Sequence, residues 1–180
     1  MMEIYKKKPV YLGIPILMLL LFFLKKGKVD AVILLQRELL VIFGYVASLT
    51  DIGSKRVPNK LVLTMVGTWV LIIVPQLFFQ TEKAIAIMIS DLIGFVMGGL
   101  LFLIVYLVSR KGLGGGDVKL MAASGLYLGF RNVLPAMLYG SVLSSVFAIV
   151  LILAKKIGRK DAIPLVPFLY IGMLITVLLQ

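Results

Sequence analysis

The sequence predicts an all-α fold, a polytopic transmembrane helical bundle with six or seven membrane segments, on three observations. Its 180 residues are 61% hydrophobic and only 15% charged, against roughly 45–50% and 25% in an average soluble domain. Apolar runs at 61–79 and 84–108 are long enough to cross a bilayer, which takes roughly 20 such residues. Backbone groups in lipid must be satisfied within their own segment, so these runs fold as helices. A soluble enzyme is excluded. With no Cys there is no disulfide scaffold, thiolate nucleophile or Cys-based zinc site. With no His there is no imidazole base and no Ser-His-Asp triad. Chemistry here must run on Asp, Glu, Lys, Tyr, Ser or backbone.

The segments follow in order. Residues 10–24, behind Lys6, Lys7 and Lys8, resemble a signal peptide, but Lys25, Lys26, Gly27 and Lys28 follow where a small-residue cleavage site belongs. They read as a retained short helix, or as an interfacial or re-entrant segment, which leaves six spans. The next segments are 31–50, 60–79 and 84–108. The fifth, 118–130, is only about 20 Å long at a helical rise of ~1.5 Å per residue. Segments 133–154 and 165–179 complete the bundle. No soluble domain interrupts them, so 1–180 is read as a single integral membrane domain.

The net charge of +11 reads as span-flanking charge and not as a nucleic-acid surface, since no basic stripe interleaved with aromatics occurs. With the N-terminus inside, thirteen Lys and Arg fall on the inner side and six on the outer. The positive-inside rule therefore favours that orientation, although the cluster at Lys25–Lys28 opposes it.

Of eight acids, Asp51, Asp117 and Asp161 share the expected cytoplasmic side, each where a loop meets a span. An acid at a span boundary demands a reason. Asp51 closes the second segment before Lys55, Arg56, Val57, Pro58 and Asn59. Alone it reads as a solvated loop acid paired with Lys55 or Arg56, and Asn59 as the N-cap of the next helix. Asp117 ends the run Gly112, Leu113, Gly114, Gly115, Gly116. Such glycine density predicts positive φ or close backbone approach, with Asp117 alternatively a plain N-cap. No Gly-Lys-Ser/Thr follows, so no phosphate loop is present.

Together the two acids carry more. Two carboxylates on one membrane face are the minimum equipment for activating water without His, Cys or metal: one takes the proton from water and the other polarises a scissile carbonyl. Brought close, they cannot both ionise and share a proton. On helix dipoles alone, Asp51 at a C-terminus is expected to be the protonated donor and Asp117 at an N-terminus the base.

Thr50-Asp51 with Lys55-Arg56-Val57-Pro58-Asn59, and Gly114-Gly115-Gly116-Asp117-Val118-Lys119-Leu120, resemble the type IV prepilin peptidase family, membrane aspartic proteases of the Gly-x-Gly-Asp type. Ala122–Gly129 and Ile163–Leu169 also fit, so the resemblance covers about 40–175. It implies Asp51 and Asp117 as the catalytic pair, an active-site loop of Gly114, Gly115, Gly116 and Lys119, and supporting roles for Arg56, Pro58, Asn59, Pro164 and Pro167. It implies no metal and no cofactor. The implied partners are prepilin or pseudopilin precursors with a basic leader and an apolar helix, in a prokaryotic inner or plasma membrane with the site on the cytoplasmic side. Many relatives add a four-cysteine cytoplasmic domain linked to N-methylation. This chain has no Cys, so a short, peptidase-only member is expected. Val166 stands where the family often has glycine.

A rival reading is a transporter or channel using Asp51, Asp91 and Asp117 as a proton or cation path, which would spread acids through the membrane depth. Asp91, within the fourth segment, is expected to hydrogen-bond a neighbouring helix. Arg37 is expected to snorkel to the outer interface, and Lys119 to steady Asp117 or merely to flank its span. Asp161 is expected to pair with Arg159 or Lys160. Trp69 reads as a packing or lipid-facing residue, and Gly94, Gly98 and Gly99 as permitting close helix contact.

Overall fold

A computed structural model describes residues 30–109, 113–156, 158 and 163–179. All regular structure among them is helical: α1 (Ala31–Ser54), α2 (Asn59–Phe79), α3 (Thr81–Val108), α4 (Gly115–Leu153) and α5 (Val166–Leu179). The first four are long and apolar enough to cross a membrane, and α5 is a shorter apolar helix. The expected six or seven segments are not reached on this count. Residues 10–24 lie outside the described residues, and the expected segments 118–130 and 133–154 are the two limbs of α4, joined at Gly129 without an intervening loop.

Gly129 is the reason for that joining. It interrupts α4 with φ 69° and ψ 175°, a combination open essentially to glycine alone. A Cβ on Gly98 would lie 2.5 Å from the carbonyl oxygen of Met121 and 3.1 Å from Val133. Those residues would stand about 18 Å apart along a straight helix. Limbs 115–128 and 130–153 therefore fold back on each other, and one glycine does the work of a loop.

Close packing follows the small residues. A Cβ on Gly94 would fall 2.4 Å from the carbonyl oxygen of Gly125, so α3 and the short limb touch backbone to backbone, as the sequence led us to expect. On the other side, α5 wedges between α1 and the long limb. Gly44 admits the ring of Tyr170, and Gly172 lies against Ala136 and Gly140. The interior collects Leu40, Met65, Ile73, Leu120, Met121 and Leu169, while Leu63 and Leu71 point outward at 69% and 73% exposure. Apolar exposure of that size is a lipid-facing surface.

Both ends of α1 are sealed. Asp30 caps α1 by accepting the Val32 N–H at 3.0 Å. Lys55 ends α1 in the left-handed region at φ 51°, returning its N–H to the carbonyl of Asp51. By topology the start of α2, the ends of α1 and α3, the start of α4 and the start of α5 all gather at one end of the bundle. Asp51 and Asp117 are both there.

Candidate active site

Asp51 lies in the last turn of α1 and is 5% exposed. Helix ends leave their last carbonyls unpartnered, yet this one is roofed by the chain on both sides. The segment 55–58 doubles back so that Val57, the apolar residue of an otherwise polar turn, is buried. From 115 residues further on, the Val166 N–H donates to Asp51 Oδ2 at 3.1 Å. The Leu165 backbone lies close enough to act on the same carboxylate. The start of α5 is thus a third element of the site.

Asp117 occupies the third position of α4. Its Oδ2 accepts the Gly114 N–H at 3.1 Å, and its own N–H donates to the Gly114 carbonyl at 3.0 Å. Gly114, and not Asp117, is the N-cap. Asp51 and Asp117 line one cavity of about 320 Å³ and lie within electrostatic reach of each other. Arg56, Asn59, Gly114, Gly115, Gly116 and Lys119 line it too, with Lys55 and Val57. Pro58, Pro164 and Pro167 do not: Pro58 precedes α2, Pro164 precedes the segment that reaches Asp51, and Pro167 sits in the first turn of α5.

The glycines act differently from expectation. Gly114 has φ −78°, Gly115 and Gly116 are helical, and Gly129 is the sole positive-φ glycine among the described residues. Close approach is the operative reason. A Cβ on Gly116 would stand 3.2 Å from both the N and the Cβ of Val57, and one on Gly114 would stand 3.0 Å from the Asp117 carboxylate. At Gly115 nothing lies within 4 Å. Asn59 does not cap α2 through its side chain. Its Oδ1 accepts instead from Lys119 Nζ at 3.1 Å, so Lys119 bridges the starts of α2 and α4. The dipole argument for the two acids also changes. Asp51 ends one helix but receives the first N–H of another, and Asp117 receives the cap N–H of its own helix; the dipoles no longer tell them apart.

Elsewhere, Asp91 accepts from Gln36 Nε2 and from Trp69 Nε1, both at 2.8 Å, the interhelical bonding expected of it. Trp69 is a buried donor as well as a packing residue. Arg37 does not snorkel. It is buried and donates to the Tyr127 carbonyl at 3.0 Å, because the interrupted limb leaves that carbonyl without a helical partner. Asp161 lies outside the described residues. Sequence reasoning missed the Leu165–Val166 backbone, for which side-chain identity carries no signal. It also missed Val57, whose signal was an apolar residue in a polar turn.

A family profile described as "Type IV leader peptidase family" matches residues 38–149, which span both aspartates. The chain belongs to that family. It is 28% identical over 123 residues to a "Prepilin leader peptidase/N-methyltransferase" of Xanthomonas campestris pv. campestris, covering 68% of this chain and 42% of the relative. A protein of the same description from Bacillus subtilis is 24% identical over 140 residues, covering 74% and 51%. One from Aeromonas salmonicida is 36% identical over 66 residues, covering 37% and 23%. The matched region thus spans about half or less of these relatives' length. No solved structure matches the chain.

Proposed function

We infer that this chain is a membrane aspartic endopeptidase that removes the leader from prepilin-like precursors, with Asp51 and Asp117 as its catalytic pair. The observation that carries this reading is the meeting of two carboxylates, 66 residues apart in sequence, in one cavity at the end of an otherwise apolar bundle. Each is held by backbone N–H donors on one oxygen, which leaves the other oxygen for a water or a substrate carbonyl. Sharing one proton, the pair can take a proton from water with one member and donate to the scissile carbonyl with the other. Collapse of the tetrahedral intermediate then needs a proton on the leaving amine, which the first member has just acquired. No side chain beyond the pair has to change protonation.

The surroundings suit such a substrate. An apolar helix can lie along the lipid-facing side of the bundle while the polar leader meets the cavity at its end. Among the described basic residues, Lys55, Arg56, Lys60, Lys119, Lys155 and Lys156 belong to the aspartate-bearing end, by the helix order. That clustering supports a cytoplasmic site in a prokaryotic plasma membrane. The reading covers the peptidase reaction alone, since the chain has no Cys for the four-cysteine motif associated with methyl transfer. The test is incubation of membranes carrying the chain with a prepilin from the same genome, beside Asp51→Ala and Asp117→Ala membranes. Leader removal by the wild type alone supports the reading; equal processing by either variant overturns it.

A further inference from the structure

The opposite part of the bundle holds a second buried polar cluster that the peptidase reading leaves without a task. Gln36, Arg37 and Asp91 are 1%, 9% and 4% exposed. Gln36 and Trp69 donate to one oxygen of Asp91, and the charge of Asp91 acts on Arg37. A buried, oppositely charged couple is costly to desolvate and often contributes less stability than apolar packing of the same volume. Within a membrane, such residues usually have a task.

The task is visible in what Arg37 grips. The Tyr127 carbonyl belongs to the last turn of limb 115–128, and Asp117 to its first, ten residues or about 15 Å away. On α1, Arg37 precedes Asp51 by fourteen residues, about 21 Å. The Tyr127 hydroxyl also donates to the Met65 carbonyl of α2 at 2.6 Å. The limb and α1 are therefore tied at one end by Arg37 and present their carboxylates to each other at the other end. Near the carboxylates, Gly114, Gly115 and Gly116 offer no side chain to key the limb in place. A slip of one residue would move Asp117 about 1.5 Å and turn it by about 100°. A misplacement of roughly 1 Å can cost about a hundredfold in rate.

We propose that Arg37 is a positioning residue: its bond to the Tyr127 carbonyl sets the register of the Asp117-bearing limb against α1, and with it the spacing of Asp51 and Asp117. The catalytic consequence rests on the peptidase reading, whereas the geometry does not.

The absence of cysteine permits a test that needs no activity. In the Asp51→Cys/Asp117→Cys chain the two thiols are the only ones, and their cross-linking by dibromobimane, followed on that chain, reads their spacing. Adding Arg37→Leu is expected to lower the cross-linked fraction by about fivefold or more, and Arg37→Lys, which keeps a donor, to restore most of it. In the otherwise unaltered chain, Arg37→Leu should lower kcat on a prepilin by about tenfold or more with KM within about twofold. Should Arg37→Leu fail to accumulate, Asp91→Asn keeps the acceptor for Gln36 and Trp69 while removing the nearby charge that acts on Arg37. It is expected to lower cross-linking in the same direction by a smaller factor. Unchanged cross-linking in a folded Arg37→Leu or, failing that, Asp91→Asn chain overturns the proposal, even if cleavage falls. Loss of cross-linking in a chain whose wild type cleaves no prepilin sinks the peptidase reading and leaves the positioning role standing.

Discussion

Both halves of this bundle bury carboxylates, yet the company they keep differs. Asp91 is met by side chains: two neutral donors on one oxygen and a guanidinium charge nearby. Asp51 and Asp117 are met by backbone N–H groups and by each other's like charge, with the Lys55 charge also acting on Asp51. Burial alone therefore does not mark a reactive acid in a membrane protein. A carboxylate met by two side-chain donors is fastened; two carboxylates that line one cavity, each held by backbone on one oxygen, suit the proton exchange proposed for them.

The sharpest way to break this comparison is to delete each acid in turn. Asp51→Ala and Asp117→Ala should each lower leader cleavage by about a thousandfold or more, because groups acting as a unit fail together. Both proteins should still insert. Asp91→Ala should lower the yield of folded protein, by leaving Arg37 without a nearby counter-charge, and should cut the rate per folded molecule far less than loss of either catalytic acid. Initial rates per folded molecule, with yield followed by size-exclusion of the extracted protein, decide it. If Asp91→Ala folds well and cleaves nothing while Asp51→Ala cleaves normally, the two ends have been assigned the wrong way round.

The adjacent glycines sharpen it next. Gly116→Val drives a branched side chain into Val57 and should lower cleavage by roughly ten- to a hundredfold through displacement of Asp117. Gly115→Ala meets open space and should stay within about twofold of wild type. Equal losses at both positions would mean that the run acts through flexibility and not through contact.

These glycines also show what the sequence could and could not carry. The helical class, the spans near 31–50, 60–79 and 84–108, and the placing of Asp51 and Asp117 at one end of the bundle were legible, because long apolar runs and acids at span ends are written in side chains. The glycine run was legible as a demand for close approach, but the element approached was Val57, which only the folded turn reveals. The break expected between 118–130 and 133–154 falls at Gly129, and its exact place was not legible because a one-residue turn leaves no loop composition to read. The grip of Val166 on Asp51 was illegible altogether: a backbone N–H looks the same in every residue but proline.

That exception supplies the third test. Proline is well tolerated at the first position of a helix, which is where Val166 stands. Val166→Pro removes the N–H on Asp51 and exchanges one buried three-carbon side chain for another. A hydrogen bond to a charged group is worth about 1.5–3 kcal/mol, so kcat should fall by roughly ten- to a hundredfold, with thermal stability nearly unchanged. Val166→Ala keeps the donor and should retain most activity. If both variants lose activity alike, the side chain and not the N–H is what matters there.

The smallest expected effect lies at the fastened end. Trp69→Phe preserves most of the buried ring but deletes the Nε1 donor to Asp91. Hydrogen bonds between membrane helices average about 0.6 kcal/mol and reach about 1.7, so the loss in stability should stay near 1 kcal/mol. Gln36 still donates to the same oxygen and Arg37 still supplies the nearby charge, so the carboxylate keeps a partner after the change. Cleavage should remain within about twofold of wild type, because Trp69 lies on α2 and the register of the Asp117 limb depends on Arg37 and Tyr127. Thermal unfolding in detergent, read beside the initial rate, separates the alternatives. A small drop in melting temperature with full activity fits a donor that fastens Asp91 without tuning it. A large loss of rate at unchanged melting temperature would show instead that the Asp91 cluster responds to each of its donors, and that the two ends of the bundle are more tightly coupled than a single Arg37 strut requires.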